Sequence, residues 1–365
     1  MDHLLPVARQ FKPESHVLDI QEYGNGNVND TFLVTLDSPQ EKHFVLQRIN
    51  THVFRRPELV MLNMRTFTEH VHERLRREPN SGRRWQVPLI FPAQDGNSHF
   101  VDANGSFWRA ISFIEASRSF EQIQSIEHAR EVGHALGRFQ SLISDLAVEK
   151  LHDTLEGFHI APRYLWHYDE VLARNGDRFK TPEVDYCRRF VQERRSLVPV
   201  LEDAKGQNRL RLRPIHGDPK VNNIMIDEAT GQAVSIVDLD TVKPGLVHYD
   251  IGDCLRSCCN PLGEETTNFD AVCFETDLCR AILQGYLPLA QDFLDDDDYA
   301  YLYDAMRLIA LELGLRFFTD YLEGNVYFKA KHREHNLTRA IVQFRLAASI
   351  ERQEATIRAI IDDLR

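Results

Sequence analysis

The 365-residue chain is 43% hydrophobic and 27% charged, with 18 Gly and 15 Pro. That is the ordinary composition of a soluble folded protein and excludes collagen-like, disordered and disulfide-scaffold classes. A formal charge of −12 opposes phosphate backbones, so binding nucleic acid would need a local basic patch; in the best one, Arg74, Arg76, Arg77, Arg83 and Arg84, Glu73 and Glu78 break the run. No apolar run approaches the roughly 18 residues of a membrane span. No basic segment followed by an apolar core opens the chain. A cytoplasmic protein with neither nucleic-acid nor membrane partners is expected. None of the six cysteines forms a C-x-x-C pair, so buried free thiols are expected rather than a zinc or redox site.

In chain order, residues 17–23, 31–36 and 43–50 read as strands, and Pro57 opens a helix that runs to about Arg77. Strands at 99–102 and 107–114 flank Asn104-Gly105, a hairpin signal in which both turn positions take positive φ. From Phe120 onward apolar residues recur at three- and four-residue spacing, which predicts helices. A short strand island interrupts them at 224–227 and 234–239. A long helix is expected from about Tyr299 to Glu323, with the aspartates 295–298 at its N-terminus and Gly324 as its stop. The fold class is therefore α+β: a small antiparallel-sheet lobe with one helix over residues 1–112, then a larger, mainly helical lobe over residues 113–365, with a cleft between them.

The strongest motif is His216-Gly217-Asp218-Pro219-Lys220-Val221-Asn222-Asn223, followed by a strand, a return and Asp238. Phosphoryl transfer needs a carboxylate to orient the attacking hydroxyl and accept its proton, and oxygen ligands that hold Mg²⁺ against the phosphates. Asp-x-x-x-x-Asn followed by a strand ending in Asp is the arrangement kinases use for this work. A hairpin explains the spacing, because the returning strand brings Asp238 beside Asp218 and Asn223.

HGDPKVNN, IVDLDT and HYDIGDCLR resemble the aminoglycoside phosphotransferase and choline-kinase superfamily, whose fold is the bilobal protein-kinase one. YGNGNVNDTFLV, FVLQRINTHVF, FWRAISFIE and LRFFTDYLEGNVYF are similar to bacterial N-acetylhexosamine 1-kinases. The resemblance implies ATP and Mg²⁺ as cofactors and phosphorylation of a sugar at its anomeric hydroxyl. It implies Asp218 as catalytic base and Asn223 and Asp238 as metal ligands; Lys220 is expected to aid the Mg²⁺ in offsetting charge, and Glu115, in the hinge, to bind the nucleotide. Sugar contacts would fall on Asp218, Thr241, Arg316 and Tyr327. Aminoglycoside, choline or homoserine kinases are the alternatives within the class, and a catalytically silent nucleotide- or sugar-binding protein is the alternative outside it.

Gly24, Asn25, Gly26 and Asn27 join two strands and tolerate unusual φ, so this turn can fold over phosphates, although Asn29 stands where G-x-G-x-x-G has its third glycine. Gln47 stands where kinases generally carry a phosphate-holding lysine, so Mg²⁺ and Lys220 must neutralise more of the triphosphate. Strand alternation turns Arg48 to the other face. Glu69 and Glu73 are the acidic candidates on the following helix. Arg316 lies at the inward edge of the long helix's apolar stripe, where it either pairs with Asp320 or aims its donors across the cleft. Asp250 and Asp253 are expected to brace the catalytic loop. Asp240 is expected to point the same way as Asp238, as on a strand, and to support the metal.

Overall fold

In the computed structural model, residues 4–24, 28–38, 41–78, 82–175 and 179–365 are described. Helix α1 (Leu5–Phe11) precedes strands β1 (Val17–Glu22), β2 (Asp30–Leu36) and β3 (His43–Ile49), helix α2 (Pro57–Arg77), and strands β4 (Ile90–Phe91), β5 (Phe100–Val101) and β6 (Phe107–Ser112). The six strands form one antiparallel sheet in the order β1-β2-β3-β6-β4, with β5 also on β6. Proline at the first helical position starts α2 as expected. Helix α1 and the two-residue β4 are too short to carry a readable period. The Asn104-Gly105 turn differs from expectation: only Gly105 has positive φ. Asp102 explains this, because its carboxylate accepts the backbone N–H groups of Asn104 and Ser106 and the indole N–H of Trp108, which fixes another turn.

Strand β7 (Ser117–Arg118) leads into α3 (Ile126–Ile143), α4 (Ala161–Asn175), α5 (Pro182–Glu193) and α6 (Val200–Gly206). Strands β9 (Ile224–Asp227) and β10 (Ala233–Ile236) are the expected island, with β10 ending short of 239; they pair with β7, while β8 (Arg213–Ile215) and β11 (Lys243–Gly245) form a separate two-stranded sheet, and α7 (Val247–Cys258) follows. Helices α8 (Thr276–Ala290), α9 (Asp296–Glu323), α10 (His335–Arg352) and α11 (Glu354–Leu364) complete the C-terminal lobe. Asp295 and Asp298 form a reciprocal capping box at the start of α9, and Gly324, at φ 97°, ends it. The acidic run is thus a helix start, and Asp298 also pairs with buried Arg213 at 2.6 Å. One large core unites α3 and α7–α11, and its edge reaches Met64, Phe67 and Val71 of α2. The result is the expected two-lobed α+β fold.

Packing carries directly into the cleft. Gly285 of α8 crosses α3 so closely that a Cβ there would lie 2.0 Å from the Arg130 carbonyl oxygen. The crossing lets Tyr286 donate its hydroxyl to Gln140 at 2.6 Å, and Gln140 in turn donates to Asp250 at 3.0 Å. Asn63 of α2, wholly buried, bonds the carbonyls of His152 and Val242 and so ties the N-terminal lobe to the C-terminal one.

Candidate active site

The catalytic-loop motif leaves β8 under tight control. Asp250 accepts the backbone N–H of His216 at 2.9 Å and that of Gly217 at 2.7 Å, the bracing expected of it. Asp253, one turn further along the same face, does not bond the loop backbone; it pairs with Arg256 at 2.8 Å and acts on Lys220 of the loop only through its charge. His216 is a neutral strut. Its Nε2 donates to the Val237 carbonyl at 3.0 Å, its Nδ1 accepts the Asp218 N–H at 3.2 Å, and burial pushes its pKa down.

Asp218, Asn223 and Asp238 converge. Asn223 Nδ2 donates to the Asp218 carbonyl at 2.8 Å, and Lys220 Nζ lies 2.8 Å from the Asp218 carboxylate. The β9–β10 hairpin returns so that Val237 N–H donates to the Asn223 carbonyl at 2.9 Å, which sets Asp238 beside Asn223. Asp238 opens onto the cleft. Enclosure by the protein, then Asp240 and Asp218, push its carboxyl above the usual carboxylate range. Asp218 and Asp238 in turn hold the Lys220 ammonium well above its ordinary value.

Asp240 departs from expectation. Asp238 takes the left-handed conformation, φ 65° and ψ 57°, and a 3₁₀ turn over Leu239–Thr241 follows, so strand alternation does not apply. Asp240 instead points into the N-terminal lobe, where it pairs with Arg109 and accepts from Asn29. Arg109 was not singled out by sequence reasoning, although it is the one charged residue in the apolar strand Phe107–Ser112. Thr31, Gln47 and Arg109 are direct cross-strand neighbours on β2, β3 and β6. Gln47 donates to Thr31 at 3.0 Å and accepts from Arg109 at 2.6 and 2.9 Å. Arg48 turns to the opposite face and pairs with Asp30, as alternation requires. Glu69 and Glu73 pair with exposed arginines of their own helix and do not approach the cleft. In their place α2 offers the Met64 sulfur, 3.6 Å from Arg109.

Of the expected phosphate loop, Gly24 has φ 77°, whereas Asn25, Gly26 and Asn27 lie outside the described residues. Glu115 is exposed and pairs with His43 at 2.8 Å, while its carbonyl accepts from Arg84 at 2.6 Å. Beside it Ile114, Met225 and Val234, with Val237, form a small apolar cluster where the C-terminal lobe begins.

A cavity of about 1010 Å³ opens on the other side, lined among others by Asn50, Asp153, Phe158, Tyr164, Arg316 and Tyr327. The Arg316 guanidinium sits 5.0–5.9 Å from the ring centres of Phe158, Tyr164, Tyr327 and Phe328. It does not pair with Asp320, which accepts the backbone N–H groups of Val326, Tyr327 and Phe328 and so shapes the segment that presents Tyr327. Among the described residues Arg316 has no ion pair, while the cavity's acids are engaged: Asp153 by Lys243, Glu156 by Arg56 and Glu323 by His167. Asp218 and Thr241 do not line this cavity. Thr241 stays on the loop, donating to the His216 carbonyl at 2.7 Å. His159, adjacent to Phe158, bridges the two parts, with Nε2 2.9 Å from the Gly217 carbonyl and Nδ1 3.0 Å from Glu312. This bridge was also missed, since nothing in a loop histidine's surroundings in sequence distinguishes it.

The model of the phosphotransferase enzyme family (APH) matches residues 19–278. The chain belongs to that family. Its fold is shared with solved kinases over nearly all their length. An aminoglycoside phosphotransferase from Alicyclobacillus acidocaldarius is 14% identical, with 95% of this chain and 94% of that chain covered and a TM-score of 0.62. Choline kinase from Cryptosporidium parvum is 13% identical, with 100% and 99% covered and a TM-score of 0.62. A microcompartment-associated aminopropanol kinase is 15% identical, with 97% and 98% covered and a TM-score of 0.59. At these identities the likeness is one of fold.

Membership makes the chain a phosphotransferase, and that chemistry implies a nucleoside triphosphate with Mg²⁺. The residues fit the cation. Among the described residues no three His, Cys, Asp or Glu side chains gather to hold a metal unaided. Asn223 and Asp238 would supply two oxygen ligands, a number that suits Mg²⁺ when phosphate oxygens and water make up the rest of its shell. The crowding of Asp218, Asp238 and Asp240 is the electrostatic situation that a divalent cation relieves. No helix among the described residues is long and apolar enough to cross a membrane.

Proposed function

We propose that this phosphotransferase transfers the γ-phosphoryl group of ATP to the anomeric hydroxyl of a free sugar, an N-acetylhexosamine. The observation that carries the reading is Arg316: a guanidinium caged by four rings, in the field of Glu312 but in no ion pair among the described residues, in a cavity whose lining acids are already engaged. Such a wall repels a cationic acceptor and offers a fork of donors to neutral hydroxyl and acyl oxygens. This disfavours choline and aminoglycosides as acceptors.

In this reading residues 1–112 hold the nucleotide, with Gly24, Asn25, Gly26 and Asn27 over the phosphates, and Gln47 and Glu115 also on the nucleotide side. Residues 113–365 supply the hinge, the catalytic loop and the acceptor pocket. Asp218 orients the sugar hydroxyl and takes its proton as the new O–P bond forms and the bond to ADP breaks. Mg²⁺ held by Asn223 and Asp238 offsets phosphate charge, and Lys220 adds a second positive charge beside Asp218. Thr241, Arg316 and Tyr327 hold the sugar. The test is a screen of free sugars, choline, homoserine and kanamycin with ATP and Mg²⁺, followed by NMR of the product. The expected product is N-acetylglucosamine or N-acetylgalactosamine 1-phosphate. Turnover of kanamycin or choline without turnover of any sugar would overturn the reading. So would phosphate on another sugar hydroxyl, or binding without turnover across the whole panel.

A further inference from the structure

A guanidinium that is 1% exposed sits at the centre of the nucleotide side of the cleft, and the neutral residue at position 47 exists beside it. Arg109 and Gln47 are paired across β6 and β3, so their backbones lie one strand spacing apart, about 4.8 Å. Gln47 turns its carbonyl oxygen to Arg109 Nε and Nη2, which fixes the plane of the guanidinium. The remaining nitrogen, Nη1, faces Asp240, itself 2% exposed, and the Met64 sulfur. A lysine at position 47 would set two like charges directly opposite each other on the sheet, which is unfavourable. The N-terminal lobe therefore carries its cation one strand away from the place where the fold usually has it.

The partner explains what the cation does. Asp238 is not glycine, and its left-handed backbone persists only if the surroundings impose it. On its N-terminal side the bond from Val237 N–H to Asn223 fixes the turn. On its C-terminal side the anchor is Asp240, held by Arg109 of β6 and by Asn29 of the segment that precedes β2. Both anchors of Asp240 belong to the N-terminal lobe, so the turn that presents Asp238 is set by the sheet above it. Stability alone is a poor reason for the pair, because a buried ion pair is often no better than apolar residues of the same volume.

We propose that Arg109 is the positioning residue that replaces the missing strand lysine: through Asp240 it holds the Asp238 turn in register with the N-terminal lobe, so that phosphates and their metal bind. The proposal rests on the reading of Asp238 as the residue that meets the phosphates and metal. It requires no contact between Arg109 and the nucleotide.

Calorimetric titration of the full-length protein with MgADP and with adenosine tests it without turnover. Arg109→Met should weaken MgADP binding by about 10- to 100-fold, the size of a lost charged hydrogen bond, while adenosine binding stays within about twofold. Gln47→Lys added to Arg109→Met restores a cation one strand over and should recover most of the lost affinity. Asp240→Asn, which keeps the side-chain volume, should reproduce the split if Arg109→Met does not fold. Unchanged MgADP affinity, a parallel loss of adenosine, or no recovery in the double variant would overturn the proposal. Asp238→Asn separates the two failures. If it abolishes Mg²⁺-dependent ADP binding while Arg109→Met does not, the Arg109 role falls and the site reading stands; if neither variant matters, the site reading itself falls.

Discussion

His159 and Glu312 lie 3.0 Å apart, both nearly inaccessible, in the wall between the Arg316 cavity and the catalytic loop. Both ring nitrogens of His159 face acceptors, the Glu312 carboxylate and the Gly217 carbonyl, so the ring is an imidazolium that donates twice. Burial opposes its charge, yet Glu312, the Gly217 carbonyl and Asp253 together raise its pKa above the usual histidine value. A raised folded pKa means that this stabilisation is fully present below the unfolded value of about 6.5 and is lost as pH rises through the folded value. His159→Gln should therefore cost about 3–5 kcal/mol near pH 6, the range for breaking a buried pair, and progressively less in alkaline solution. Thermal melts of both proteins across that range check the sign. A gap between the melting temperatures that does not change with pH would show that the ring is neutral.

Asp218 is held on two sides, by Lys220 and by the Asn223 amide, in a geometry that leaves its carboxylate 28% exposed toward the cleft. If it accepts the acceptor's proton, Asp218→Asn should lower kcat by about 10²- to 10⁴-fold, the usual contribution of general-base catalysis. MgADP affinity should stay near that of the native protein. Steady-state rates paired with calorimetry check this, and a kcat within a few-fold of native would remove Asp218 from the proton transfer.

How far these features could be read without coordinates depends on how local their physics is. Helix α2 was legible because proline starts it, and α9 because aspartates cap it and Gly324 stops it. The Asp218–Asn223–Asp238 group was legible because a single hairpin generates it. Arg109 was not, because its meaning depends on cross-strand register with Gln47 and on an acid more than a hundred residues away. His159 was hidden for the same reason, its partners lying 58 and 153 residues along the chain. The direction of Asp240 was misjudged because one left-handed residue breaks the alternation on which the expectation stood.

Gly217 is the backbone counterpart of this packing. Its φ is +88°, and a Cβ would lie 2.8 Å from the Thr241 carbonyl oxygen and 3.0 Å from the Thr241 Cβ. Gly217→Ala combines left-handed strain of about 1–2 kcal/mol with overpacking of about 1–3 kcal/mol. The loop relieves the clash only by moving away from Thr241, which displaces Asp218. A lowered melting temperature and a kcat loss larger than the change in acceptor KM are expected. An alanine variant with native stability and rate would mean that the loop has slack absent from this packing.

Arg316 gives the most direct view of the acceptor. Four rings hold the guanidinium by cation–π contact, the Tyr327 hydroxyl bonds it, and it forms no ion pair among the described residues, so its remaining donors are available to the cavity. Arg316→Ala should raise the sugar KM by about 10- to 100-fold, the size of one or two charged hydrogen bonds, and leave the KM for ATP unchanged. Arg316→Lys keeps the charge and the cage but loses the planar fork, so it should fall between native and alanine. The ordering separates two roles. If lysine equals the native protein, charge alone matters and an anionic acceptor becomes the better candidate; if lysine equals alanine, the fork's two parallel donors are what the sugar reads. An unchanged sugar KM in Arg316→Ala would place the acceptor elsewhere in the cleft.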